Sequence, residues 1–474
     1  MTLGAVAANL GGVALVALPG LGLAELLAPL RRLPLLRRLG YAWLLGLLAL
    51  GGTLFAASHL LGVPLRRPAI LAAALIPALL GLAARVRRRS GPRERPQAPA
   101  PRWHLLAALG IAALVLGPLV SALTAPLGDW DGRMTWSPLA SYLRHEGTVD
   151  ARVLREPHWW VLHPRYPPLL PLAQVAAQEV FGAGEDDQYY RALYASFLAA
   201  LLLVIHDGAR RVAGRTAATL ATLCAAAIPF LSYGAGGATS AYSDLPLAGF
   251  YGAALVLLLL ERRTLAAGGT AGCLLAGAIL AKNEGALLAA GALLLASLRL
   301  LRAPRKRPVG WLAAAAGPAL AAFALLTSWR AAIPNRDDED YFATLHLSDL
   351  LHGAVARLPQ IAPEILRWTF RWSDWLGFWL LFLLVLAAGH RALRKPHVPR
   401  LLLAGLVPAA VAWAAYAVST RLDHLLGETW NRFLLQGLVP LAVVLACSVR
   451  AVRGKDGKVT RDIKDDRSSR SNAR

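Results

Sequence analysis

Apolar residues in this chain fall in long runs separated by short polar breaks, with neither the alternation of strands nor the one-sided spacing of soluble helices. About thirteen runs of roughly 17 to 22 residues are centred near residues 15, 50, 76, 114, 200, 223, 250, 273, 292, 319, 384, 409 and 440, each close to the length a helix needs to cross a bilayer. Inside lipid a segment must satisfy its own backbone groups, so the runs predict helices. The pattern as a whole predicts an all-α, polytopic membrane protein.

The breaks divide the chain. Residues 1–84 hold three predicted helices joined by short Arg- and Pro-containing turns. Residues 85–102, with Pro92, Pro96, Pro99 and Pro101, read as a basic linker. A main body over 103–450 carries two long loops, about 125–190 and 330–374, and residues 451–474 read as a polar, disordered tail. A long loop inside a compact body is itself a functional signal.

Composition agrees with the pattern: of 474 residues 56% are hydrophobic and 16% charged, and the mean hydropathy is +0.48. The net charge of +22 changes the picture only through its placement. With the N-terminus outside and 85–102 inside, the basic stretches 31–38, 207–215, 261–263, 299–307, 391–400 and the tail from 450 share one face. That is the positive-inside asymmetry, and Arg66 and Arg67 are its exceptions. A basic inner face suits anionic lipid, and no nucleic-acid role is expected. Cys224, Cys273 and Cys447 lie in apolar runs without ligand spacing, so neither a disulfide nor a thiolate metal site is expected. The first run lacks a basic leader and a clear cleavage site and reads as a retained helix. No Walker loop, dinucleotide fingerprint or nucleophile elbow occurs.

The polar clusters all fall on the face opposite the basic one. Directly after the run ending at Leu123 come Asp129 and Asp131 in Gly128-Asp-Trp-Asp-Gly-Arg-Met-Thr-Trp136, with Arg133 beside them. Such a pair serves as a catalytic base with an orienting acid, or as oxygen ligands, with His163, of a divalent cation. In the same loop His163, Arg165 and Tyr166 flank a double proline, where a phosphate, or for the histidine a metal, is a natural partner. Asp244, in Tyr242-Ser-Asp-Leu-Pro246, is either a site residue or a helix N-cap. Lys282 and Glu284 interrupt an apolar stretch; the lysine suits an anionic phosphate, the alternative being a mutual pair. Arg432 and Gln436 share a helix face at the start of the last run, where an arginine suits a lipid phosphate. Trp368, Trp372, Trp375 and Trp379 read as an interfacial belt.

In order and placement these motifs resemble the GT-C superfamily of integral membrane glycosyltransferases, in the branch of bacterial relatives of protein O-mannosyltransferases and aminoarabinose transferases. The residues that carry the resemblance are the Asp129/Asp131 turn, His163-Pro-Arg-Tyr-Pro-Pro-Leu169, Tyr242-Ser-Asp-Leu-Pro246, Lys282-Asn-Glu-Gly285 and Arg432, over roughly 103–450. It implies a large first outer loop of GT-C type. It also implies transfer of a sugar from a polyprenyl-phosphate donor to a glycan, lipid or protein acceptor at the outer face of a bacterial plasma membrane. The family's catalytic acid falls on Asp131 or Asp129, with Asp131 preferred, and Lys282, Arg432 and His163 would steady the leaving phosphate. Metal dependence differs among members, so a divalent cation stays open. Two rival expectations are a transporter or flippase of lipid-linked sugars, which needs a polar path through the bilayer, and a non-catalytic partner in envelope assembly.

Overall fold

The computed structural model describes residues 3–88, 101–156, 163–182, 190–300, 308–334, 347–419 and 422–471. Most of the 85–102 linker and the acidic cluster Asp337-Asp-Glu-Asp340 lie outside them. Among the described residues the chain is helical without strands. The principal helices are α1 (Leu3–Leu26), α2 (Leu35–Leu61), α3 (Arg67–Arg87), α4 (Arg102–Thr124), α5 (Ser137–Glu146), α6 (Leu169–Phe181), α7 (Ala192–Ala213) and α8 (Arg215–Ala226). They continue with α9 (Asp244–Leu260), α10 (Leu265–Ala281), α11 (Gly285–Leu298), α12 (Pro308–Ala331), α13 (Leu358–Thr369), α14 (Phe378–Ala388), α15 (His397–Val418), α16 (Leu422–Gln436) and α17 (Leu438–Ser471).

Every run read from the sequence is occupied by a helix, but among the described residues seven helices are long and apolar enough to cross a bilayer, or eight if α16 and α17, bent by 55° at their junction, form one broken span. The chain is thus a multi-pass membrane protein. The shorter apolar helices include α9 and α10, 17 residues each, roughly 25 Å at 1.5 Å per residue against a hydrocarbon core of about 30 Å. Helix α9 is buried without interruption from Asp244 to Leu259. A helix apolar on all sides belongs in an interior, and α9 is the post around which α7, α10, α16 and α17 pack.

Small residues set the closest approaches. Gly20 of α1 and Gly46 of α2 each have a partner backbone carbonyl where a Cβ would stand, as do Gly268 and Gly272 of α10 against α12. Without water between helices, association rests on this kind of contact. The first three helices pack on the body, with α2 along α7 and α1 against α6. In α2 a π-helical turn at Leu48–Gly52 faces Leu169 of α6 and Leu280 of α10. Helix α17 extends past its apolar part into the polar tail. Trp375 and Trp379 are buried within the bundle rather than forming a belt, because the indole N–H of Trp375 donates to Asn431 of α16 at 3.0 Å; Trp372 is exposed.

Candidate active site

Four segments far apart in sequence deliver charged side chains to one end of the bundle. Helix α4 ends at Thr124, and the chain turns through Asp129 and Asp131 into a π-helical turn, Gly132–Trp136, that leads directly into α5. The backbone N–H of Asp131 donates to the Tyr242 hydroxyl at 3.1 Å. A Cβ on Gly132 would stand 2.5 Å from the Ser240 carbonyl oxygen, so only glycine lets the carboxylate turn lie on the 240–243 loop. That loop is itself tightly wound: Ala241 has φ of 57°, and the Gly236 N–H donates to Ser240 Oγ at 3.0 Å.

The hub is Asp244. Its side chain is fully buried and receives Lys282 Nζ at 2.8 Å and Gln436 Nε2 at 3.0 Å on Oδ1, and Arg432 Nε at 3.0 Å on Oδ2. The N-cap position of α9 is Ser243, and Asp244 follows it as the first helical residue. The N-cap reading of Asp244 is therefore corrected: its carboxylate is spent on Lys282, in the turn between α10 and α11, and on Arg432 and Gln436 of α16. Lys282 also lies 3.1 Å from Glu284, the local pair read from the sequence.

Arg432 joins the hub to the carboxylate turn. Its Nη1 is 3.1 Å from Asp131 Oδ2, and its guanidinium lies over the Tyr242 ring, 4.6 Å from the centroid. The series Glu284, Lys282, Asp244, Arg432, Asp131 thus alternates in charge. Asp129 stands at its end. Partial burial first, and then the neighbouring Asp131 carboxylate, raise its proton affinity above that of an ordinary carboxyl, with Arg432 opposing. Burial and Asp131 likewise push up the Tyr242 phenol, which stays protonated.

The second turn lies alongside. Tyr166 stacks between His163, at 4.8 Å, and Trp136, at 5.4 Å, and the Tyr166 N–H closes the turn on the His163 carbonyl. His163 thus meets Trp136 of the carboxylate turn through the Tyr166 ring. Among the described residues no group of three or more His, Cys, Asp or Glu is placed to hold a metal ion, so Asp129, Asp131 and His163 do not group as ligands. Arg133 is exposed, outside the charge series, because the π-helical turn directs Thr135 and Trp136 inward instead. Arg165 contributes its carbonyl, which accepts from Arg330 Nε at 2.8 Å, while the same guanidinium bonds the Asn283 side chain. Arg330 therefore ties the 163–166 turn to the 282–284 turn.

Sequence reasoning missed Arg330 and a second buried network at the opposite end of the bundle. There Asp207 of α7, fully buried, pairs with Arg37 of α2 at 2.5 Å, Tyr41 Oη at 2.7 Å and Arg211 Nε at 2.7 Å, and Arg211 continues to Glu261. The signal available was an acid embedded within a strongly apolar segment, which is costly without partners. No family model, no curated protein and no solved structure matches the chain.

Proposed function

We propose that the chain is a membrane glycosyltransferase of GT-C type, threaded with the charge series at the outer face and the Asp207 network at the inner, moving a sugar from a polyprenyl-phosphate donor to an acceptor. The observation that carries the reading is the meeting of Asp131, Asp244, Lys282 and Arg432 from four separate segments at one end of an otherwise apolar bundle. Buried charge of this density is costly away from water and is retained chiefly where a polar ligand is handled. A transport path is less well supported, since α9 presents only buried apolar positions from Leu245 to Leu259 between the two polar ends.

In the proposed step the acceptor hydroxyl or amine loses its proton to a carboxylate as it attacks the anomeric carbon. The bond from that carbon to the phosphate oxygen breaks, and configuration inverts. The geometry supports Asp129 as the base over the sequence preference for Asp131: Asp131 is engaged by Arg432, whereas Asp129 has raised proton affinity. Arg432 already bridges two acids, so a donor phosphate competes with Asp131 for it, and charge growing on the leaving phosphate draws the guanidinium across. Lys282 stands one residue beyond.

The test is transfer from lipid-linked sugar by full-length protein in membranes, comparing wild type with Asp129→Asn and Asp131→Asn at matched expression. Both variants are expected to lose at least about a hundredfold, in line with removal of a general base. Wild-type transfer in both variants would overturn the assignment.

A further inference from the structure

The first three helices take no part in the chemistry just described, yet the end of α2 grips the segment that follows the carboxylate turn. The Val149 N–H donates to the buried Ser58 Oγ at 3.1 Å, and the Leu65 N–H to the Gly147 carbonyl at 2.7 Å. His59 Nδ1 lies 3.0 Å from Asp150 Oδ1, and Arg66 Nη1 donates to the Arg144 carbonyl at 3.4 Å. From the other side, Trp329 of α12 donates its indole N–H to the Val149 carbonyl at 2.9 Å, and Ser328 Oγ lies 3.2 Å from His59 Nε2. The chain at 147–150 thus has backbone donors and acceptors satisfied by two other elements.

That segment is the far end of one rod. From Gly132 to Glu146 the backbone is continuously helical, π then α, and Gly147 ends it with φ of 69°. Asp131 is the residue just before the rod. Its near end rests on Tyr242 and Ser240, its flank packs on α6, where Arg144 Nε meets Glu179 at 3.0 Å, and the α2 end, with Trp329 of α12, holds its far end. Helices transmit displacement because they do not bend cheaply, and a misplacement of about 1 Å at a reacting group costs up to a hundredfold in rate.

We propose that Ser58 and His59 are positioning residues of this site: the α2 end holds the 147–150 segment and through α5 sets the place of Asp129 and Asp131. Ser328, His59 and Asp150 are ordered like a nucleophile, a base and an orienting acid. Ser328, however, gives its hydroxyl proton to the Leu325 carbonyl at 2.8 Å and sits in the last turn of α12, where the negative end of the helix dipole opposes the oxyanion that such chemistry builds. The trio fastens three elements and does not hydrolyse.

The activity part of this inference rests on the transferase reading; the structural part does not. Full-length protein in phospholipid nanodiscs, as wild type, Ser58→Ala, His59→Ala, His59→Asn and Ser328→Ala, is followed by hydrogen exchange over 129–150 and by transfer kinetics. His59→Ala and Ser58→Ala are expected to speed exchange in this segment at least about fivefold and to lower kcat about tenfold with KM for the lipid donor unchanged. His59→Asn keeps an amide facing Asp150 and is expected to restore most of both, and Ser328→Ala to have the smallest effect of the alanine variants. Unchanged exchange in both His59→Ala and Ser58→Ala overturns the proposal whatever the activity. Faster exchange with undiminished kcat overturns the positioning role while leaving the grip. Absence of transfer in wild type counts against the transferase reading alone, since the exchange comparison stands without it.

Discussion

Arg432 Nη1 stands 3.1 Å from Asp131 Oδ2, while Nε of the same guanidinium bonds Asp244. One planar cation therefore holds the loop after α4 and the first turn of α9 together. An ammonium is a point charge and cannot present two donors in fixed directions. Arg432→Lys is expected to assemble in the membrane but to raise KM for the lipid-linked donor and lower kcat/KM by about a hundredfold, some 2.7 kcal/mol. Steady-state transfer with varied donor checks this, and a variant within twofold of wild type contradicts the bridging role.

Asp244 bears on stability more than any other member of the series. Replacing it by Ala leaves Lys282 and Arg432 buried with one counter-charge fewer, a loss of about 3–5 kcal/mol for comparable buried pairs. The midpoint of thermal aggregation in detergent is expected to fall steeply. Adding Lys282→Met to the Ala variant removes one stranded charge and is expected to recover part of the loss; a double variant less stable than the single would contradict this account.

Asp129 gives a pH dependence whose sign is fixed by the direction of its shift. Because the fold raises its proton affinity, the ionised form is disfavoured in the folded state. The cost is absent below the ordinary carboxyl range near pH 3.9, appears as pH rises toward the raised value, and is complete above it. Asp129→Asn is therefore expected to be at least as thermally stable as wild type at pH 7, with the gap closing at acid pH, even as transfer is lost. Melting curves across pH decide it, and a variant less stable at pH 7 would contradict the sign.

Two nearby glycines give a paired test. Gly132→Ala sets a methyl 2.5 Å from the Ser240 carbonyl oxygen, whereas at Gly128 nothing lies within 4 Å. The first substitution is expected to push the carboxylate turn off Tyr242 and cut transfer at least about tenfold; the second is expected to be silent in the same assay.

The run pattern made the helical class and the helix positions legible, because hydropathy is a local property. The number of spans was not legible to the same degree. The run near 250 is apolar because protein surrounds it, and composition alone does not separate a helix buried in a bundle from one facing lipid. At the site, Asp129, Asp131, Asp244, Lys282 and Arg432 stood out because charge beside an apolar run is expensive. Arg330 and His59 did not, since each looks like an ordinary helix-end residue until the fold shows which loop it reaches. In the sequence Asp207 opens a basic stretch that reads as a polar turn, whereas it lies inside α7 with Arg211 on the same helix and Arg37 and Tyr41 on α2.

The Asp207 network has a consequence for shortened versions of the protein. Two of the three groups that bind that acid, the Arg37 guanidinium and the Tyr41 hydroxyl, come from α2. A chain begun at residue 102 would keep every residue of the charge series and yet strand a carboxylate in the interior of α7 with Arg211 as its remaining counter-ion. Such a fragment would lose support at both ends of the bundle, the Asp207 partners at one and the Ser58 and His59 contacts at the other, so its inactivity would not locate the function among the residues it keeps.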